Sequence, residues 1–160
     1  MLADCVTCRA NRGEVPTPGG VIHEDELWRL EHTFEPIPMV GWLVLKPLRH
    51  VESVAELTEK EAAALGGLVR RASAALTAVL GCTKVYVCVF AESAAAQHVH
   101  VHLIPRASDL PPERRGPAVF EYLRQTADGG ENLADVAEAA RVAAAVRDLL
   151  RGGADGRPVE

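Results

Sequence analysis

Positive charge is scarce in this chain. Its 17 Lys and Arg stand against 22 Asp and Glu, a net charge of −5 with neutral histidines. That balance excludes a general nucleic-acid binder, which needs a basic surface. It leaves room for a small anionic ligand at a local basic site. No apolar run approaches the roughly 20 residues that span a bilayer. The opening residues MLADCVTC lack the basic start and apolar block of a secretion signal. A cytoplasmic protein with no membrane partner is therefore expected. In that compartment the four cysteines, Cys5, Cys8, Cys82 and Cys88, are not expected to form structural disulfides. Internal repeats, a second Cys-x-x-Cys, a domain boundary and a Mg²⁺-type carboxylate cluster are also missing.

What remains is an ordinary globular composition. The chain has 160 residues, 48% apolar and 24% charged, enough for one domain with a sizeable core. Residues 1–150 are expected to form that domain and 151–160, Gly-rich and polar, a flexible tail. VIHED and LWRLEHT read as two short strands with a turn near Glu24–Glu26, and GWLVLKP as a buried strand. TEKE, with Thr58 three residues before Glu61, is a capping box. Behind it Leu65, Leu68, Val69, Ala72, Leu76 and Val79 keep helical spacing, so a helix runs to Leu80 and stops at Gly81. KVYVCVF reads as a second buried strand. The segment after Arg106 reads as loop with one helical turn near Val119–Leu123. A last helix is expected from an Asn132 cap to Gly152. The order of elements predicts an α+β domain: an antiparallel sheet of about five strands with a central helix on one face and a C-terminal helix.

Half of the six histidines stand in QHVHVHLIPR, at His98, His100 and His102. Spacing of two is the strand period, so the three imidazoles share one face while Val99, Val101 and Leu103 take the other. Crowded rings repel one another when protonated, so most are neutral at pH 7. A neutral imidazole is a nucleophile or a metal ligand. His23 and His32 read as surface or strand residues without a role, Trp42 as core, and Cys82 and Cys88 as small buried residues. Cys5-x-x-Cys8 leaves three readings open: half a zinc site, a redox dithiol, or chance. The absence of a preceding strand disfavours the dithiol. His50 and His98 would complete a zinc set, but the four residues span most of the chain.

HVHVHLI resembles the motif of the histidine triad family, in which three histidines alternate with apolar residues. CVTC resembles the Cys-x-x-Cys of zinc-containing members, and WLVLKPLRH the strand and histidine before the central helix. VFAES and PPERRGPAVFEYL are similar to actinobacterial-type hydrolases of the family. The resemblance implies a homodimer that hydrolyses or transfers nucleotides, a small-molecule role with no nucleic-acid partner. It implies His100 as the nucleophile and His102 as a contact to phosphate or leaving group. It also implies structural Zn²⁺ on Cys5, Cys8, His50 and His98.

Three nucleotide-contact positions depart from the family pattern. AAAQ, ending in Gln97, lacks the usual hydroxyl. Thr33 and Phe34 stand where an acidic residue binds ribose. FAES lacks an asparagine. Gln97, Glu92, Ser93, Arg114 and Arg115 are the expected substrate ligands. Two other readings stay open. One is a nucleotide-binding module with zinc and little catalysis. The other is a catalytic metal held by His98, His100 and His102.

Overall fold

The computed structural model describes residues 5–152. Strands β1 (Val21–Glu24), β2 (Trp28–His32), β3 (Leu43–Pro47), β4 (Lys84–Val89) and β5 (Val101–Arg106) form one antiparallel sheet in the order β1-β2-β3-β5-β4. Helix α1 (Val6–Asn11) precedes it, α2 (Glu59–Leu80) links β3 to β4, and α3 (Phe120–Gly129) and α4 (Val136–Gly152) follow. This is the α+β arrangement expected from the sequence.

Alternation along the strands makes two faces. Leu30, Leu45 and Val101 lie opposite one another, as do Leu43 and Leu103. They pack under Leu68, Ala72 and Leu76 of α2 and Val142 and Val146 of α4 as the main core. The reverse face carries Glu31, Val44, His102 and Cys88 in one row across the strands. The polar chemistry collects on that face, and α1 and α3 border it.

Helix α2 begins as its sequence dictates. The Thr58 hydroxyl accepts from Glu61 N–H, and the Glu61 carboxylate accepts from Thr58 N–H at 2.7 Å. Such a cap is worth about 1 kcal/mol. Arg49 grips the same carboxylate through two nitrogens at 2.8 Å and is the main reason Glu61 is held down to about 2. Gly81 ends the helix at φ 60°, in the left-handed region. Gly41, at φ 79°, also takes the left-handed region, and a Cβ there would in addition push the Leu80 side chain, 2.5 Å away at Cδ1.

Several sequence expectations need correcting. Helix α2, at 22 residues, is long and apolar enough to cross a bilayer. Here it is the core helix, with Arg70 and Arg71 exposed midway. Strand β4 is an edge strand, not a buried one: Val87 is 46% exposed. The single turn near Val119 is a ten-residue helix, α3, entered through short 3-10 turns at Pro112–Arg114 and Gly116–Val119. Asn132 does not cap α4. Its side chain accepts from Ile37 N–H at 2.7 Å, while Asp135 takes Glu138 N–H at 2.9 Å. Helix α4 continues through residues 151 and 152, and the rest of the expected tail lies outside the described residues.

Candidate functional site

Cys5 ends the chain's entry into α1 and Cys8 lies one turn on, so both thiols leave the same side of the helix. His50 follows the end of β3, and His98 precedes β5. The four donor atoms lie within 4.8 Å of one another. Cys8 Sγ is 3.3 Å from His50 Nδ1 and 3.5 Å from His98 Nδ1, and Cys5 Sγ is 3.7 Å from His98 Nδ1. A tetrahedral zinc with ordinary Zn–S and Zn–N bonds has S···N edges of roughly 3.6 Å. The donor set therefore fits that ion. Its outer contacts fit as well. His98 Nε2 donates to Pro47 O at 3.1 Å, and His50 Nε2 to Glu52 Oε1 at 3.2 Å, which turns both Nδ1 atoms inward. Burial, with the Cys5 thiol beside it, pushes Cys8 up to about 11, so a thiolate here calls for a neighbouring cation.

The other two triad histidines stand outside this cluster. They line a cavity of about 530 Å³ between the sheet, α1 and α3. His100 Nδ1 donates to the carbonyl of His98 at 2.6 Å, which leaves Nε2 with its lone pair. Burial lowers the His100 pKa, and the nearby Lys46 lowers it further. His102 stands beside His100 with ring centroids 4.8 Å apart. Burial, then His100, holds His102 down to about 3.

Trp42 sets the tautomer of His102. Its indole N–H donates to His102 Nδ1 at 3.0 Å. An indole nitrogen is only ever a donor, so Nδ1 is unprotonated and the proton sits on Nε2. Trp42 also packs edge-on to His102 and Phe120, in a second small core with Ile104 and Val119. Trp42→Phe keeps a ring there and removes the donor. The expected result is a His102 that titrates upward from about 3 and loses its single-tautomer signature in nitrogen NMR. Turnover should fall roughly 10-fold. An unchanged tautomer signal in the variant would show that the indole does not set it.

Among the expected substrate ligands, Ser93 lines the cavity, and Glu92, Gln97, Arg114 and Arg115 do not. Arg115 donates to Leu110 O at 2.9 Å, and Arg114 lies over the Tyr122 ring. The Thr33 hydroxyl is engaged with His32 Nδ1 at 3.1 Å, and Phe34 lines the cavity with 42% of its surface exposed. A metal shared by all three triad histidines is not formed among the described residues, where only His98 joins a metal-type cluster. His32 is buried rather than on the surface, and it accepts from Gly41 N–H at 2.9 Å. Cys82 is buried as expected, whereas Cys88 is half-buried on the edge strand.

Sequence reasoning missed two residues, Trp42 and Lys46. The signal for Lys46 was available: a charge inside the otherwise apolar run WLVLKP. The Lys46 ammonium is buried, lines the cavity and meets Glu31 Oε2 at 2.5 Å. Burial lowers its pKa while Glu31 raises it.

No protein-family model matches the chain, and no curated protein matches it. Solved structures do. A zinc-bound histidine triad family protein from Mycobacterium smegmatis is 21% identical, over 93% of this chain and 96% of that one, with a TM-score of 0.66. A hypothetical histidine triad nucleotide-binding protein from Sulfolobus tokodaii is 17% identical, over 93% of each chain, with a TM-score of 0.68. A histidine triad protein from Bradyrhizobium japonicum is 22% identical, over 86% of this chain and 91% of that one, with a TM-score of 0.60. The fold of this chain is the histidine triad fold.

Proposed function

We propose that this chain is a nucleotide phosphohydrolase or nucleotidyl transferase that works through a covalent nucleotidyl-His100 intermediate. The observation that carries the reading is the His100–His98 hydrogen bond, which fixes Nδ1 as the protonated nitrogen and leaves Nε2 nucleophilic in a cavity of nucleotide size. His100 Nε2 attacks the α-phosphorus. The P–N bond forms as the bond to the leaving group breaks, and the leaving group takes its proton from solvent. Water or a second acceptor then attacks phosphorus; the new P–O bond forms as the P–N bond breaks, the acceptor's proton passes to solvent, and His100 departs as the neutral imidazole it was. Two displacements replace one harder displacement.

His102 has a different task. Its Nε2–H can donate to an oxygen on phosphorus. It cannot act as a general acid from this tautomer, because losing that proton would leave an imidazolate. Hydrogen bonding to charge that develops in the transition state is the role that fits.

Zinc on Cys5, Cys8, His50 and His98 belongs to this reading as a structural ion, because four protein ligands leave no open position. Bound there, it supplies rigidity rather than chemistry. The cluster ties α1 to the ends of β3 and β5, and Val6, Thr7 and Ala10 of α1 line the cavity.

A homodimer is also part of the reading. Among the described residues strand β4 has one unpaired edge, and Val87 and Phe90 are 46% and 56% exposed beside it. Sedimentation at twice the chain mass would support this, and a monomer at micromolar concentration would remove it.

Engagement of the Thr33 hydroxyl and displacement of Gln97 from the cavity favour a second reading, a binding module with little catalysis. Incubation with nucleotide phosphoramidates, dinucleoside polyphosphates and nucleotide sugars separates the two. Release of a nucleoside monophosphate from any of them supports the enzyme. Calorimetric binding without product supports the module.

A further inference from the structure

A buried lysine beside a proposed nucleophile asks for an explanation. Val44 of β3 pairs with His102 of β5. The pairing ends at Leu45 and Val101, and just beyond it Lys46 at the end of β3 and His100 before β5 both line the cavity. Lys46 is only 4% exposed, yet it lines the cavity. Among the described residues it is the sole Lys or Arg that does so.

Its bonding is incomplete. An ammonium carries three N–H donors. Among the described residues Lys46 has one hydrogen-bond partner, Glu31 Oε2. Glu31 is itself buried and shared with Arg29, whose Nε is 2.9 Å from Oε1. The carboxylate therefore anchors the ammonium and leaves two donors beside the cavity. Thr17, another lining residue, has a buried hydroxyl with no partner. Unsatisfied buried donors cost free energy that a ligand's acceptors can restore. The loop before His98 offers Ala94, Ala95 and Ala96, which bring no side-chain donor to a phosphoryl group.

We propose that Lys46 is the cationic ligand of the phosphoryl group that His100 attacks, held in place by Glu31 as a positioning residue. The inference rests on the nucleotide reading above and names the group that balances the charge on the phosphoryl oxygens. The site accordingly selects anionic phosphoesters over their uncharged nucleosides.

The test compares the wild-type protein with Lys46→Met and with Lys46→Met/Glu31→Gln, which removes the stranded carboxylate. Each is titrated calorimetrically with AMP, adenosine and inorganic pyrophosphate, and urea unfolding confirms that each is folded. The wild type should prefer AMP to adenosine. Both variants should lose at least about 10-fold of that preference with adenosine affinity unchanged, and kcat should fall roughly 100-fold. A folded variant that keeps the wild-type preference overturns the role of Lys46 and leaves the nucleotide reading standing. Pyrophosphate binding that depends on Lys46, with adenosine and AMP ignored, sinks the nucleotide reading and keeps the anion site. Failure of the wild type to bind any of the three overturns both.

Discussion

His100→Ala should lower turnover by at least about 10³-fold while metal content, melting temperature and nucleotide affinity stay close to wild type. The size of the loss follows from the role. Without the nucleophile only the binding and charge-stabilising parts of the site remain, and such remnants retain a small fraction of the rate. The selectivity follows from geometry. Among the described residues His100 hydrogen-bonds to the thiol–imidazole cluster through the backbone carbonyl of His98 and supplies none of its four donor atoms, so the four ligands survive the substitution. A catalytic metal on the three triad histidines would behave differently, because His100→Ala would then strip the metal. Activity, metal analysis and calorimetry on one variant separate these outcomes. Full activity would end the covalent mechanism.

Cys5→Ser carries the second large effect. Removing one thiolate from a four-ligand site should take the bound ion from about one equivalent per chain to near zero. The damage should spread through α1. Cys5 and Cys8 hold one side of that helix to His50 and His98, and Val6 N–H is tied to Ala95 O at 2.8 Å. Val6, Thr7, Ala10, Ala95 and Ala96 all line the cavity. Loosening the wall should raise KM as well as lower stability. A loss of about 4 kcal/mol corresponds to roughly 10 °C in Tm for a chain of this size. A strong chelator added to the wild type should reproduce both changes. A Cys5→Ser protein that keeps its ion and melts with the wild type would show that the cluster is not a structural metal site.

Local signals in the sequence identified local structure well. TEKE fixes where α2 starts because the capping box is made within four residues. Strand period predicts one shared face for His98, His100 and His102, but β5 begins at Val101, so only His102 stands on the strand; His98 joins the thiol cluster while His100 and His102 line the cavity. Convergence of Cys5 with His98 was not readable from spacing, since 93 positions separate them. The family resemblance supplied that set, and folding brings it together. Period also says which residues share a face without saying what covers it. Strand β4 has the apolar composition of a central strand, yet it lies at the sheet's edge. Pro111, Pro112 and Pro117 masked α3, which begins just beyond the last of them. Trp42 looks like core and is core, but its single N–H also decides where the His102 proton sits. Lys46 is legible only as an oddity until β2 places Glu31 beside it.

Intact-mass spectrometry on protein quenched within seconds of mixing with a nucleoside phosphoramidate reaches the chemistry itself. The expected spectrum gains one nucleoside monophosphoryl group, lost on mild acid treatment, mapped to His100 and missing from His100→Ala. Steady release of nucleoside monophosphate with no such adduct at any quench time, or an adduct that persists in His100→Ala, would contradict a covalent role for this histidine.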